Sequence, residues 1–333
     1  MRKVIAGFFI VFAGVACDQI ALSPEEKAPD DGIPKPGIVE IPTATFLRIT
    51  HINVGQGDST LIEGPERTML IDGGDNGMGD DRVVRVLQDY TIPVLDYVVA
   101  THPHADHIGG LDEVFDRADV TGGVWDNGDT STTQAFQNYA EAAEQTSGGR
   151  HTIAPGKVFD LGGGATATCY AANGTMIDGW QVFDATSTND RSVVIVVEWG
   201  AFREVIAGDL GGYDTDTIAD VESSLGFLIG DVDILRVSHH GSRYSTNPGW
   251  LNTLKPEVAV LSSGDGNDYG HPASDLMGRL TGADVSVTIA SPDIYLTEKG
   301  AAPSPFSGSG DVVVMARPSW YDVEHVRYDA VDQ

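Results

Sequence analysis

The stretch 97–107 constrains this chain more than any other. Tyr97-Val-Val-Ala-Thr101 is an unbroken apolar run of the kind that a strand buried on both faces requires. It leads directly into His102-Pro-His104-Ala-Asp106-His107. An extended chain repeats its side-chain direction every second residue, so His102 and His104 can project to one side. Asp106 and His107 follow at the turn into a helix candidate over 111–117. Four metal-capable side chains at a strand-to-helix junction can address two adjacent cations. Imidazole suits zinc, manganese or iron, and the carboxylate adds charge and can bridge. A chance surface cluster is a poor account of this pattern, because three of the nine histidines fall within these six residues.

The rest of the chain reads as an α+β fold with strands in the majority. Short apolar runs, many rich in Val and Ile, predict strands at 46–53, 58–63, 68–72, 94–101, 165–171, 192–198, 203–208, 232–238, 257–262 and 311–316. Helices are expected at 81–90, where Val83, Val86, Leu87 and Tyr90 share a face, at 134–145 and at 274–280. Forty glycines suit such a turn-rich chain. Gly162–Gly164 lacks the Lys and Ser/Thr of a phosphate loop and reads as a turn. One folded domain is expected over 45–320, followed by a polar tail at 321–333 that holds His325. His51 and His151 are read as surface or core histidines without a role.

Residues 1–17 read as an export signal. Arg2 and Lys3 precede an apolar run over 4–16 that is too short to span a bilayer. Small residues before Cys17 fit lipidation at that cysteine, although Gly14 departs from the usual larger aliphatic residue. Cleavage after Ala16 with a free product stays open. Five prolines among acidic and small residues make 18–44 a tether. Cys169 then has no partner and reads as a buried strand residue. No second apolar run approaches membrane-spanning length, so no channel is expected and membrane contact would come only through a lipid anchor. The net charge of −29 argues against a general nucleic-acid binder. It fits a saline or extracellular setting, or steering of cationic substrates.

The HxHxDH pattern after an apolar strand resembles the signature of the metallo-β-lactamase superfamily. His51-Ile-Asn-Val-Gly-Gln-Gly-Asp58, Leu70-Ile-Asp-Gly-Gly74, Val237-Ser-His-His-Gly-Ser242 and Tyr269-Gly-His-Pro272 narrow the resemblance to the extracytoplasmic hydrolase domain of ComEC-type competence proteins. It runs from about Phe46 to about Arg317. The resemblance implies a four-layer αβ/βα sandwich with the site at the sheet edge. It implies two divalent ions, zinc or manganese, held by His102, His104, Asp106 and His107, with Asp209 as a bridging carboxylate and His239 or His240 as the last ligand. The superfamily's usual third histidine of the first site is replaced by Asn189, which is left as a weak ligand, a water-mediated one or a turn cap. Asp58 and Asp72 are expected to brace loops beneath the metals.

Hydrolysis by a metal-activated water is the expected reaction, with Asp106 orienting the water. His271, or whichever of His239 and His240 is not a ligand, would protonate the leaving group. The resemblance implies a phosphodiester substrate, single-stranded DNA among the options. Ser242, Arg243 and Ser245 are candidate phosphate contacts, with Arg191 close by. The acidic surface keeps small phosphoesters and a lactone, ester or β-lactam substrate open. A non-catalytic binding module is the reading from a different class.

Overall fold

The computed structural model describes residues 46–182 and 187–330. The signal segment 1–17 with Cys17, and the tether 18–44, lie outside the described residues.

Two sheets face each other. The first has nine strands and runs, in space, from Val326–Asp329 through Trp320–Val323, Val312–Arg317, Leu47–His51, Thr60–Glu63, Thr68–Ile71, Tyr97–Ala100 and Val124–Asp126 to Arg150–Thr152. The second has eight. Its main path runs from Thr175–Met176 through Ala165–Ala172, Val194–Trp199, Phe202–Ile206, Ile234–Arg236 and Val258–Leu261 to Asp293–Leu296, with Val158–Gly162 paired beside Ala165–Ala172.

The alternation of strand side chains produces four layers. Ile195 and Val197 point into the space between the sheets with Ile49, Ile71, Val99 and Val314. Val194 and Val196, one residue out of phase, face outward onto the helices Glu222–Ile229, Pro248–Leu254 and Ser274–Leu280, packing with Leu225, Trp250 and Leu276. Leu61, Leu70 and Val98 do the same on the first sheet, against Val84–Asp89, Leu111–Phe115 and Gln134–Gln145. The central strands are covered on both faces, which is why they read as continuous apolar runs. Cys169 is buried in one of them, its thiol pushed up to about 12 by desolvation. His51, also buried, sits 3.0 Å from the buried Glu204 across the inter-sheet space.

The expected polar tail at 321–333 is corrected here. Trp320–Val323 and Val326–Asp329 are the last two strands of the first sheet, so the folded domain continues past residue 320. Tyr321 and Val323 are buried while Asp322 pairs outward with Arg327 at 2.8 Å. An edge strand with one wet face carries half the apolar signal of a central one. The helix expected at 81–90 is also modified, beginning as a π-helical turn over Gly79–Val83 before Val84–Asp89.

Candidate metal centre

The site forms where parallel strands end. Thr68–Ile71, Tyr97–Ala100 and Val124–Asp126 run parallel in the first sheet, and Asp72 and His102 come just after the first two. Phe202–Ile206, Ile234–Arg236 and Val258–Leu261 run parallel in the second, and Asp209 and the pair His239–His240 come just after the first two. The carboxyl ends of parallel strands are where such sheets place their ligands.

Local backbone then aims each side chain. His104 precedes the short helix Ala105–Ile108, whose single turn returns His107 to the buried side near His102. The Asp58 amide donates to the Asp106 carbonyl at 3.1 Å, and a Cβ on Gly57 would sit 2.5 Å from that same oxygen. Glycine is needed there for the two loops to touch. His239 and His240 both lie in the left-handed region, at φ 53° and 52°. Two consecutive non-glycine residues in that conformation are costly and point to a functional demand.

The two oxygens of Asp209 face two different donor groups. Oδ1 lies 3.2 Å from His107 Nε2 and 3.4 Å from His240 Nε2, and the His240 nitrogen is 3.3 Å from Asp106 Oδ2. Oδ2 lies 3.6 Å from both His102 Nε2 and His239 Nε2, while His102 Nε2 is 3.1 Å from His104 Nδ1. Donor atoms of Asp58, His107, Asp209 and His240 fall within 4.8 Å of one another, as do those of His102, His104 and Asp209. Asn189 is beside the second group, its Nδ2 3.4 Å from His239 Nε2.

Carboxylates behind the ring fix the imidazoles. His107 Nδ1 donates to Asp72 Oδ2 at 2.8 Å, and Asp72 also accepts from the Thr101 amide and hydroxyl. His240 Nδ1 lies 3.2 Å from Asp58 Oδ1, which is also ion-paired with the buried Arg236. Each ring therefore turns its Nε2 toward Asp209. The Arg236 and Thr101 contacts had no signal in the sequence beyond their place beside the ligand motifs.

The electrostatics favour a cation. Burial opposes charge on Asp209, but the surrounding His239, His107 and His240 hold its carboxyl well below the usual range. Burial likewise opposes charge on His240, yet Asp209 and Asp58 raise it to about 10. On His102 burial wins, with help from His107, and keeps the imidazole neutral. The carboxylates thus demand positive charge at the centre, and divalent ions would supply it on neutral imidazoles. Asp209 Oδ1 and Asn189 Oδ1 are buried and accept no hydrogen bond of good geometry, so both keep lone pairs free for a cation. The mixture of imidazole and carboxylate fits a zinc- or manganese-type ion.

A cavity of 550 Å³ opens over this centre, lined by Asp106, Asp209, His239, His240 and His271 among others. His271 is pushed down to about 4, by burial and then by the neighbouring charge of His239 and His240. The candidate phosphate contacts do not reach the cavity wall. Ser242 is buried and its hydroxyl accepts from the Tyr244 amide at 3.3 Å, while Arg243 points to solvent. Glu222 accepts from the amides of Thr246 and Asn247, and Arg279 donates to the carbonyls of Arg243 and Ser245, which fixes the backbone of this loop. Arg191 is bound to Asp129 at 2.8 Å. In their place the wall uses Gln56, Thr130, Ser131, Thr133 and Tyr269. Of these, Gln56 and Tyr269 stood in motifs that could have drawn attention.

Residues 52–264 match the family model described as the metallo-β-lactamase superfamily. Among curated proteins, the chain is 24% identical over 264 residues to ComE operon protein 3 of Bacillus subtilis (strain 168), covering 70% of this chain and 30% of that protein. It is 29% identical over 236 residues to Competence protein ComA of Neisseria gonorrhoeae, covering 70% of this chain and 29% of that one. The shared region is therefore less than a third of either relative. Among solved structures it is similar to Igni18, a metallo hydrolase from Ignicoccus hospitalis KIN4/I, at 15% identity and TM-score 0.46, covering 81% of this chain and 98% of that one. The family match spans every residue from His102 to His240 that surrounds Asp209, and the chain belongs to the metallo-β-lactamase superfamily of metal-dependent hydrolases.

Proposed function

We propose that this chain is an exported, two-metal phosphodiesterase or nuclease. The observation that carries the two-metal part is the division of Asp209, with Oδ1 toward His107 and His240 and Oδ2 toward His102 and His239. In this reading His102, His104 and Asp209 would hold one ion, with His239 and Asn189 beside them. Asp106, His107, His240 and Asp209 would hold the second. His240 is taken as the ligand of the pair because it is buried against Asp58, whereas His239 is partly exposed on the cavity wall. Asp58 and Asp72 are positioning residues that keep His240 and His107 turned inward.

Bound divalent ions would lower the pKa of a coordinated water and polarise the scissile oxygen. The chain's own residues do the rest. Asp106 borders both the second donor group and the cavity, where it can orient the attacking water. His271 lines the cavity beside His239 and His240, where it would donate a proton to the leaving oxygen or contact the phosphate. Similarity to competence proteins supports a phosphodiester substrate, single-stranded DNA included. Hydrolysis of a lactone, ester or β-lactam has one specific observation in its favour, namely that among the described residues no Lys or Arg lines the cavity. Among the described residues no helix is long and apolar enough to cross a membrane, and anchoring through Cys17 is the attachment we propose.

The test is hydrolysis of bis(p-nitrophenyl) phosphate with zinc, manganese or chelator, alongside His104→Ala and Asp209→Ala. Metal-dependent turnover lost in both variants is the expected outcome. Protein that binds metal and turns over a lactone, ester or β-lactam but no phosphodiester would transfer the assignment to the other reading. Metal-bound protein inert toward all of them would favour the binding module.

A further inference from the structure

The cavity has one aromatic wall that the chemistry above leaves unused. Tyr269 is 72% exposed, yet it lines the cavity over the metal centre. One face of its ring lies on His271, with centroids 5.5 Å apart and planes at 23°, and His271 in turn stacks on the ligand candidate His240 at 6.4 Å and 29°. Three rings therefore step from solvent to the metals, and the outermost leaves most of its surface to a ligand. The loop that carries it is fixed. The Asn267 side chain donates to the carbonyls of Gly264 and His271 and accepts from the His271 amide at 2.9 Å. A rigid exposed aromatic is a preorganised stacking platform.

The rest of the wall bears on how much charge a ligand can carry. Away from the histidines and carboxylates it offers hydroxyls from Thr130, Ser131 and Thr133 and amides from Gln56 and Asn189. Among the described residues no guanidinium or ammonium lines it, and the chain as a whole carries −29. A phosphate at the metals would be neutralised there, but each further phosphate would meet a surface of its own sign. The volume of 550 Å³ is that of a small-molecule pocket.

We propose that Tyr269 forms a stacking subsite for one planar ring attached to the scissile phosphodiester, so that the substrate is a small, singly charged nucleoside-type diester and not a long polyanion. This rests on the phosphodiesterase reading and adds the substrate class. Hydroxyls and amides are suited to the sugar and the base edge, and Tyr269 to the base face.

Equilibrium binding to the metal-loaded full chain separates the possibilities without relying on turnover. The probes are dithymidine phosphorothioate, the same diester with both bases replaced by abasic sugars, and a twenty-thymidine phosphorothioate. Dithymidine should bind about tenfold tighter than its abasic counterpart. Tyr269→Ala should erase that preference and leave abasic binding unchanged, while Tyr269→Phe and Tyr269→Trp keep it. The long strand should gain no steep salt-dependent affinity over the dinucleotide. Equal binding of the base-bearing and abasic diesters, a preference that survives Tyr269→Ala, or no binding of any probe would overturn the subsite. Tight, steeply salt-dependent binding of the long strand would overturn the small-substrate assignment. A base preference in a protein that hydrolyses no phosphodiester would sink the proposed activity and leave the subsite standing.

Discussion

The two sheets contribute to the centre in different ways. The first sheet delivers His102, His104, Asp106 and His107 from one continuous segment, a strand end followed by a single helical turn. The second delivers Asp209 from one strand end and His239 and His240 from its neighbour, the latter through two left-handed residues. The first half is set by local geometry, so its spacing survives any small shift between sheets. The second half is set by packing, and it needs a tie across the sandwich. Asp58 provides that tie, because it leaves the first sheet's loop and holds Arg236 and His240 of the second. Asp72 braces His107 within the first sheet alone. The local segment gives the centre its order, and the cross-sheet ion pair gives it closure.

This contrast can be broken at several points. The largest effect is expected from Asp209→Ala, which removes the one group facing both donor sets. Turnover should fall at least about a hundredfold, with loss of bound metal measured on the same sample. His240→Ala should come next and exceed His239→Ala in lost metal affinity, because His240 is buried against Asp58 and Asp106 while His239 is partly exposed. Equal losses would remove the distinction drawn between the pair.

The two braces should then separate. Asp58→Asn and Asp72→Asn are each expected to weaken metal binding about ten- to a hundredfold in titrations. Only Asp58→Asn leaves a buried arginine without its counter-ion, so it should cost about 3 kcal/mol in denaturant unfolding, more than Asp72→Asn. A larger loss from Asp72→Asn would place the tie within the first sheet.

The smallest effect concerns the loop after the histidine pair. Burial, against its two amide contacts, pushes Glu222 up to about 8 from an ordinary 4.5. The folded chain then keeps a proton that the unfolded chain releases, so this group's contribution to stability falls as pH rises from about 4.5 to 8 and levels beyond. Asp233, raised to about 7 mainly by burial, acts with the same sign. Thermal melts of the chelated protein should lose less stability between pH 5.5 and 8 in Glu222→Gln than in the parent. An identical slope would mean that Glu222 is ionised throughout.

What the sequence made legible follows the same division. The candidate ligands of the first sheet stand out because they are neighbours in the chain, and the helix at Gln134–Gln145 could be read because its apolar face repeats at helical spacing. The helix Pro248–Leu254 went unread although Asn247 caps it through the Trp250 amide and proline opens it, signals that carry weight only once the buried Trp250 is seen. Trp320–Val323 passed for tail because Asp322 and Arg327 mask the alternation of Tyr321 and Val323. Ser242 and Arg243 misled for a related reason. Adjacency to His240 does not say where the chain goes next, and after Gly241, at φ 82°, neither residue lines the cavity.

The central claim is that Asp209 stands between two ions. Anomalous diffraction from crystals of the zinc- or manganese-loaded protein tests it most directly. The account predicts two peaks, one beside Asp209 Oδ1 with His107 and His240, the other beside Oδ2 with His102 and His104. A single peak, or ions bound without Asp209, would contradict it.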